Sequence, residues 1–170
     1  PVLTPRGEVP IEHIAPGETV IAVDENGRRV PSLVRSTHAT RSRLLVIGTT
    51  QGDLTTTTEH PLALASGGFL QAGQLVAGDA VLAWKDGRPM PGYVTGAELL
   101  DVDGFVYNLT VDGPHTFIAG GFVVHNKGGG GGGFRSSGSR SSSGRGSQGS
   151  GDPGAVFITI WIIGVTAFIL

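Results

Sequence analysis

Apolar and polar residues alternate in short runs along residues 1–126, which is the pattern of half-buried β-strands. The strands are predicted at residues 20–23, 44–47, 54–58, 81–84, 105–111 and 116–119. Turn-forming residues separate these runs at positions 25–27, 51–53, 85–87 and 112–114. No stretch keeps a helical stripe of apolar residues, although residues 11–14 suit a single turn. The pattern predicts an all-β fold of many short strands, of the sandwich or barrel type.

Two stretches of the chain resemble each other, which predicts a duplicated fold. Residues 14–22 and 75–83 both read as an apolar residue, two spacers, a glycine, an acid, and then a short strand. Each half later places a histidine among threonines and apolar residues, His60 in the first and His115 in the second. We expect two related halves around a pseudo-twofold axis, with both histidines near one central cleft. A common turn leading into a strand is the alternative explanation.

Composition divides the chain into three segments. Residues 1–126 have the mixture of a folded domain, whereas residues 127–154 are nearly all Gly, Ser and Arg and are predicted to be a disordered linker. Residues 155–170 carry no charge, and a membrane-spanning helix needs roughly 20 such residues. This last segment predicts the start of a transmembrane helix and a single-pass membrane location of unknown orientation. A pair of buried strands is the alternative for it.

Charge and residue types exclude several classes of site. A net charge of −2 excludes a strongly basic nucleic-acid-binding protein, so no nucleic-acid partner is expected. The chain has no cysteine, and its histidines lack the helical spacing of a zinc motif. The glycines after Lys127 are not followed by the Lys and Ser/Thr of a phosphate loop. We therefore expect no metal and no cofactor.

His125 and Asn126 end the last strand-like run, directly before the glycine-rich segment. The amide nitrogen of an asparagine side chain can attack its own carbonyl carbon, close a succinimide ring and release the following residue. A neighbouring histidine can supply the proton that the departing amine needs. An asparagine at a strand end is also an ordinary turn former. The position at the end of the folded pattern favours self-cleavage of the bond between Asn126 and Lys127.

Thr57 and His60 form a second candidate site. The threonine lies three residues before the histidine at the end of a threonine-rich strand, and Pro61 ends that strand. A hydroxyl and an imidazole in one small volume suit acyl transfer, although a threonine-rich edge with a capping histidine is the other interpretation. His115 is predicted to protonate or orient the amide at the junction, and a structural, partly buried histidine is its alternative. The remaining histidines are expected at the surface: His13 and His38.

Together these motifs resemble the Hint (hedgehog/intein) family over residues 1–126, and among its members the bacterial intein-like autoprocessing domains most. Residues 3–14 with 17–20 look like the stretch that follows the family's nucleophile, and Thr57-x-x-His60-Pro61 looks like its T-x-x-H motif. Residues 106–111, 115–117 and 121–126 look like its C-terminal strands and terminus. The resemblance implies a flattened horseshoe of short strands with pseudo-twofold symmetry.

The resemblance also implies a mechanism with two ends, in which the flanking polypeptide is both substrate and partner. A Cys or Ser upstream of Pro1 would attack the preceding carbonyl and form a thioester or ester. His60 would protonate that amide while Thr57 helps to hold the oxyanion. At the other end, Asn126 would cyclise. Proton transfer there would be assisted by two histidines: His125 and His115.

The sequence departs from the family pattern at its nucleophile and at two residues. The nucleophile would lie before Pro1, Asn108 stands where many members have Asp, and Lys127 stands where splicing inteins place Cys, Ser or Thr. These features favour hydrolytic cleavage over splicing. The leading hypothesis is a membrane-tethered autoprocessing domain. A degenerate Hint domain serving as a β-rich spacer or interaction module is one alternative, and a linker domain that delivers a secreted effector or toxin is another.

Overall fold

The computed structural model describes residues 1–126, which form eleven β-strands and two short 3-10 helices. The strands are β1 (Val2–Thr4), β2 (Gly7–Val9), β3 (Thr19–Val23), β4 (Arg29–Thr49), β5 (Gly52–Thr56), β6 (Pro61–Ala63), β7 (Phe69–Gln71), β8 (Ala80–Lys85), β9 (Arg88–Val111), β10 (Thr116–Ala119) and β11 (Phe122–His125). The 3-10 helices span Ile11–His13 and Ala72–Gln74. This part of the chain has no α-helix, so the all-β prediction and the single turn near residue 11 are confirmed.

Antiparallel pairing joins the strands in the order β2-β1-β10-β11-β8-β9-β4-β3. Strand β5 pairs with β4, and β6 pairs with both β11 and β7. Strand β11 therefore has neighbours in β10, β8 and β6. Because it is paired on several sides, the strand that ends in the His-Asn pair is held in a fixed register.

The predicted duplication is present in the hydrogen bonds of the two matching turns. The Glu18 carboxylate accepts from the Ala15 N–H at 2.8 Å, and the Asp79 carboxylate accepts from the Val76 N–H at 2.9 Å. The preceding glycines have left-handed backbones: Gly17 with φ +91° and Gly78 with φ +98°. Glycine enters this region without the steric cost of a Cβ, which explains the Gly-acid pair in both repeats.

The correspondence extends further than the sequence pattern indicated. The Thr4 hydroxyl donates to the Gly7 carbonyl at 2.7 Å, and the Thr49 hydroxyl donates to the Gly52 carbonyl at the same distance. In the first half β2 leads almost directly into a 3-10 helix, whereas in the second half β6 and β7 intervene before the matching helix. The segment that carries His60 is thus an addition to one half of the repeat.

The expectation of uniformly short strands is wrong for two of them. Strand β4 has 21 residues and β9 has 24, and they pair with each other with register shifts near Ser36, Leu45 and Thr49. Residues 35–43 are polar and mostly exposed. The ribbon forms through backbone pairing, and its exposed part lacks the alternation that identifies a half-buried strand.

The buried core has two large clusters that meet at β11. The first cluster includes Val2, Ile11 and Val20, from the first half of the repeat. The second cluster is formed mainly by residues of the second half of the repeat. Strand β11 contributes Val124 to the first cluster and Phe122 to the second. Burying such side chains contributes about 1.5–3 kcal/mol each, so both cores anchor this strand.

Two predictions lie outside the described residues: the linker at 127–154 and the membrane segment at 155–170. Within residues 1–126, no helix has the length and apolar character needed to cross a membrane.

Candidate active site

Strand register places Asn126 between two histidines. In the β6–β11 pair Leu62 lies opposite Val124, and the same antiparallel register, continued just past the end of each strand, brings His60 to the level of Asn126. On the other side the Asn126 N–H donates to the carbonyl of His115 at 2.7 Å. The end of β11 is therefore flanked by the two histidines that the sequence assigned to different halves of the repeat.

The Asn126 side chain is buried, with 2% of its surface exposed. Among the described residues, neither its Oδ1 nor its Nδ2 has a hydrogen-bond partner. A buried amide without partners costs about 1–3 kcal/mol. A buried polar group kept at such a cost is a candidate for function, and no hydrogen bond to a described residue holds this amide away from its own backbone carbonyl.

His125 lies in contact with two other rings. The centroids of His115 and His125 are 6.4 Å apart in an edge-to-face arrangement. On the other side, the Phe69 ring lies 4.4 Å from His125 and is tilted by 55°. Phe69 thus supports the imidazole next to the candidate scissile bond.

Burial keeps two of the imidazoles neutral. It lowers the pKa of His60 to about 3, and repulsion from His125 lowers it further in the same direction. Burial, followed by repulsion from His115, lowers the pKa of His125 to about 4. These repulsions place His125 close enough to influence His60, and His115 close enough to influence His125. At pH 7 both His60 and His125 are neutral, so each must accept a proton before it can donate one as an imidazolium.

Thr57 is 1% exposed, and its carbonyl accepts from the His60 N–H at 3.3 Å in the turn that follows β5. Its hydroxyl is buried and makes no hydrogen bond of normal geometry with the described residues. The nearby Glu59 carboxylate has a lowered pKa, mainly because the Thr58 hydroxyl donates to it at 2.7 Å. A weaker interaction with the Thr57 hydroxyl lowers this pKa further. The Thr57 hydroxyl is thus available to a further partner.

Asn108 lies on β9, opposite the exposed His38 in the β4–β9 ribbon. It is 7% exposed, and its Oδ1 has no hydrogen-bond partner in the described structure. An amide cannot titrate, so this position supplies neither an acid nor a base.

A cleft of about 710 Å³ opens next to Phe69 and Thr116. Val23, Phe69, Thr116 and Val123 are among its lining residues. Phe69 also contacts His125, so one residue of the lining adjoins the candidate site, whereas no histidine of the described residues lines the cleft.

The structure brings His60, His115, His125 and Asn126 together, with Thr57 in the turn that carries His60, and their catalytic roles stay predictions. Sequence reasoning missed Phe69, because a Phe after two glycines gives no signal of a partner ring. It also missed Thr116, whose hydroxyl bonds to a distant strand. The surface prediction is confirmed for both remaining histidines: His13 and His38.

In residues 1–126, no group of three or more His, Asp or Glu side chains is arranged to hold a metal ion. The site is therefore described by its own imidazole, hydroxyl and amide groups.

Comparison with known proteins identifies domains of one kind. A family model described as the pretoxin HINT domain matches residues 1–129. The solution structure of a bacterial intein-like domain from Clostridium thermocellum is 32% identical, and the match covers 74% of this chain and 93% of that one with a TM-score of 0.65. The DnaX mini intein from Spirulina platensis is 22% identical, covers 74% and 94% of the two chains, and has a TM-score of 0.64. At that lower identity the likeness concerns the fold alone.

A curated DNA polymerase from Thermococcus aggregans also matches, with 28% identity over 117 residues. The match covers 64% of this chain but only 6% of the polymerase. This chain therefore spans a small fraction of the length of that relative.

Proposed function

The chain belongs to the pretoxin HINT family and has the all-β Hint fold, and on this basis we propose that it is an autoprocessing domain that cleaves its own peptide bond between Asn126 and Lys127. The observation that supports the proposal most is the position of Asn126. Its amide is buried with no hydrogen-bond partner among residues 1–126, its backbone bonds to His115, and the register of β6 and β11 brings His60 to the same level.

The proposed step is cyclisation of Asn126. Its Nδ2 attacks its own carbonyl carbon, so a bond between these atoms forms while the bond from that carbon to the Lys127 nitrogen breaks. One proton leaves Nδ2 and one joins the departing nitrogen. A neutral imidazole accepts the first proton and then donates it to the amine, which balances the step. With their lowered pKa values His60 and His125 are neutral at pH 7 and able to accept a proton, and once protonated each is a strong acid that readily donates to the departing amine.

At the N-terminal end, the proposal includes an acyl shift by a Cys or Ser located before Pro1. His60 would distort and protonate the amide that is attacked, and the Thr57 hydroxyl would donate to the oxyanion. The buried Thr57 hydroxyl, with no well-formed hydrogen bond of its own among the described residues, supports this role.

The residue after the junction directs the outcome toward cleavage. Lys127 has neither a hydroxyl nor a thiol with which to capture an acyl group, so release of the two pieces is favoured over their ligation. We further include in the proposal that residues 155–170 tether the protein to a membrane, so that cleavage frees the domain.

Mass spectrometry of the purified chain tests the proposal. Prolonged incubation should yield a product ending at residue 126 that is 18 Da lighter than the plain hydrolysis product, the mass of the water lost in succinimide formation. Asn126→Ala should abolish it. Asn26→Ala is the matched control, because Asn26 lies in an exposed turn and should leave cleavage unchanged. An intact wild-type chain, or equal cleavage by Asn126→Ala, would refute the proposal.

A second candidate function is a Hint domain without catalysis that serves as a spacer or interaction module. The buried, untitratable Asn108 and the presence of Lys127 favour it. Membership of the pretoxin HINT family favours instead a domain that releases an attached effector. The cleavage assay distinguishes a non-catalytic domain from an autoprocessing one. The identity of the released flanking piece shows whether the domain releases an effector.

A further inference from the structure

The side chain of Thr116 connects the two ends of the fold next to the candidate site. Its hydroxyl donates to the Val23 carbonyl at 2.6 Å and accepts from the Val23 N–H at 3.0 Å. The residue is 5% exposed, and its partner is 93 positions away in the chain. This pair of bonds fixes the start of β10 to the end of β3.

The preceding residue, His115, has an unfavourable backbone conformation. Its φ is +57°, whereas residues with a Cβ avoid this left-handed region at a cost of about 1–2 kcal/mol. Such conformations persist only where the surrounding structure determines them. Here the fixed points are the Thr116–Val23 bonds on one side and the hydrogen bond from the Asn126 N–H to the His115 carbonyl on the other.

The His115 ring is also fixed, through its Nδ1. This atom lies 3.1 Å from the Val111 carbonyl oxygen. A carbonyl oxygen only accepts hydrogen bonds, so Nδ1 carries the proton and Nε2 is left with a lone pair. The tautomer that leaves Nε2 as a base therefore depends on the position of the His115 backbone relative to the end of β9.

We infer that Thr116 is a positioning residue for self-cleavage: its two bonds to Val23 hold His115 in the left-handed conformation that binds the Asn126 backbone and maintains one imidazole tautomer. The inference rests on the proposed function. Without the hydroxyl, the Val23 backbone loses this partner and His115 is free to relax to negative φ. Its carbonyl then leaves the Asn126 N–H, and its Nδ1 leaves the Val111 carbonyl.

A graded series at one position tests the inference: Thr116→Ser keeps the hydroxyl, Thr116→Cys weakens the hydrogen bonds, and Thr116→Val keeps the shape without them. Cleavage is measured at a temperature and pH at which circular dichroism shows each variant folded. Serine should cleave within about 3-fold of wild type. Valine should cleave at least about 10-fold more slowly, since misplaced reacting groups lose up to roughly 100-fold, and cysteine should lie between them. If Thr116→Val does not fold, the cleavage rates of Thr116→Ser and Thr116→Cys test the inference, with the serine variant expected to be faster.

A second measurement separates this inference from the proposed function. Long-range nitrogen-15 NMR of the imidazole reports the His115 tautomer even in a chain that does not cleave. Wild type and serine should show the Nδ1-protonated form, and cysteine or valine should show a mixture. A folded valine variant with wild-type cleavage or an unchanged tautomer would overturn the positioning role. Absence of cleavage in wild type, with the tautomer responding as expected, would refute the proposed function alone.

Discussion

Acidification should destabilise this domain because His60 is buried as a neutral imidazole. Its pKa falls from 6.5 in an unfolded chain to about 3 in the fold, mainly through burial. Between these values the unfolded state binds a proton that the folded state does not. Stability is therefore fully present above pH 6.5 and is lost as pH falls, at about 1.4 kcal/mol per pH unit. From pH 7 to pH 5 the loss from His60 is about 2 kcal/mol. His125, with its pKa lowered to about 4, adds a similar or somewhat smaller loss.

Urea denaturation followed by circular dichroism at pH 7 and pH 5 measures this difference. The comparison is made in an Asn126→Ala background, so that cleavage does not alter the chain during the measurement. His60→Gln should reduce the loss between the two pH values by about 2 kcal/mol, whatever its effect at pH 7. His38→Gln is the control, since this histidine is exposed on β4, and it should keep the full loss. If the free energy of unfolding of the Asn126→Ala background is the same at pH 7 and pH 5, or if His60→Gln shows the same loss as this background, the His60 imidazole is not buried in neutral form.

Three further predictions concern single side chains. His115→Gly should be more stable than His115→Ala by about 1 kcal/mol in urea denaturation, because φ is +57° at this position. At His38 the usual order should hold, with His38→Ala more stable than His38→Gly. Thr57→Val should change the free energy of unfolding by no more than about 1 kcal/mol, since no well-formed hydrogen bond is lost, and a larger loss would show that the hydroxyl has a partner. Gly73→Ala should destabilise the domain by about 1–3 kcal/mol, because the new Cβ would lie 3.0 Å from the Cβ and 3.1 Å from the carbonyl oxygen of Thr58; an unfolding midpoint equal to wild type would contradict this.

The repeated halves could be predicted because their determinants are local. The Gly-acid turn needs a left-handed glycine and a carboxylate three residues from the N–H that it caps, and both requirements are visible in the sequence at Gly17-Glu18 and Gly78-Asp79. The strands that bury one face were visible for the same reason, through their period of two. The β4–β9 ribbon was not visible, because its exposed polar residues are stabilised by pairing with a partner more than fifty positions away.

The residues of the candidate site and the closeness of its two histidines were predicted from the sequence, but the registers that bring them together were not. His60, His115 and Asn126 are brought together by the registers of two different strand pairs, and neither register can be read from one segment alone. Phe69 and Thr116 act through contacts with residues distant in sequence, so no local pattern marks them. The neutral state of His60 likewise depends on burial by the whole fold.

The pairing of β1 with β10, and of β10 with β11, has a consequence for whatever is joined to this domain. Pro1 lies beside Gly120 and Asn126 lies beside His115, and these two partners are five residues apart along β10. Pro1 and Asn126, where flanking polypeptide would be joined, are therefore separated by two strand spacings and about five residues of strand length. With about 4.8 Å between strands and 3.4 Å per residue, this distance is roughly 20 Å. A host polypeptide could accept the domain at a surface loop and keep its own cut ends within easy reach of each other.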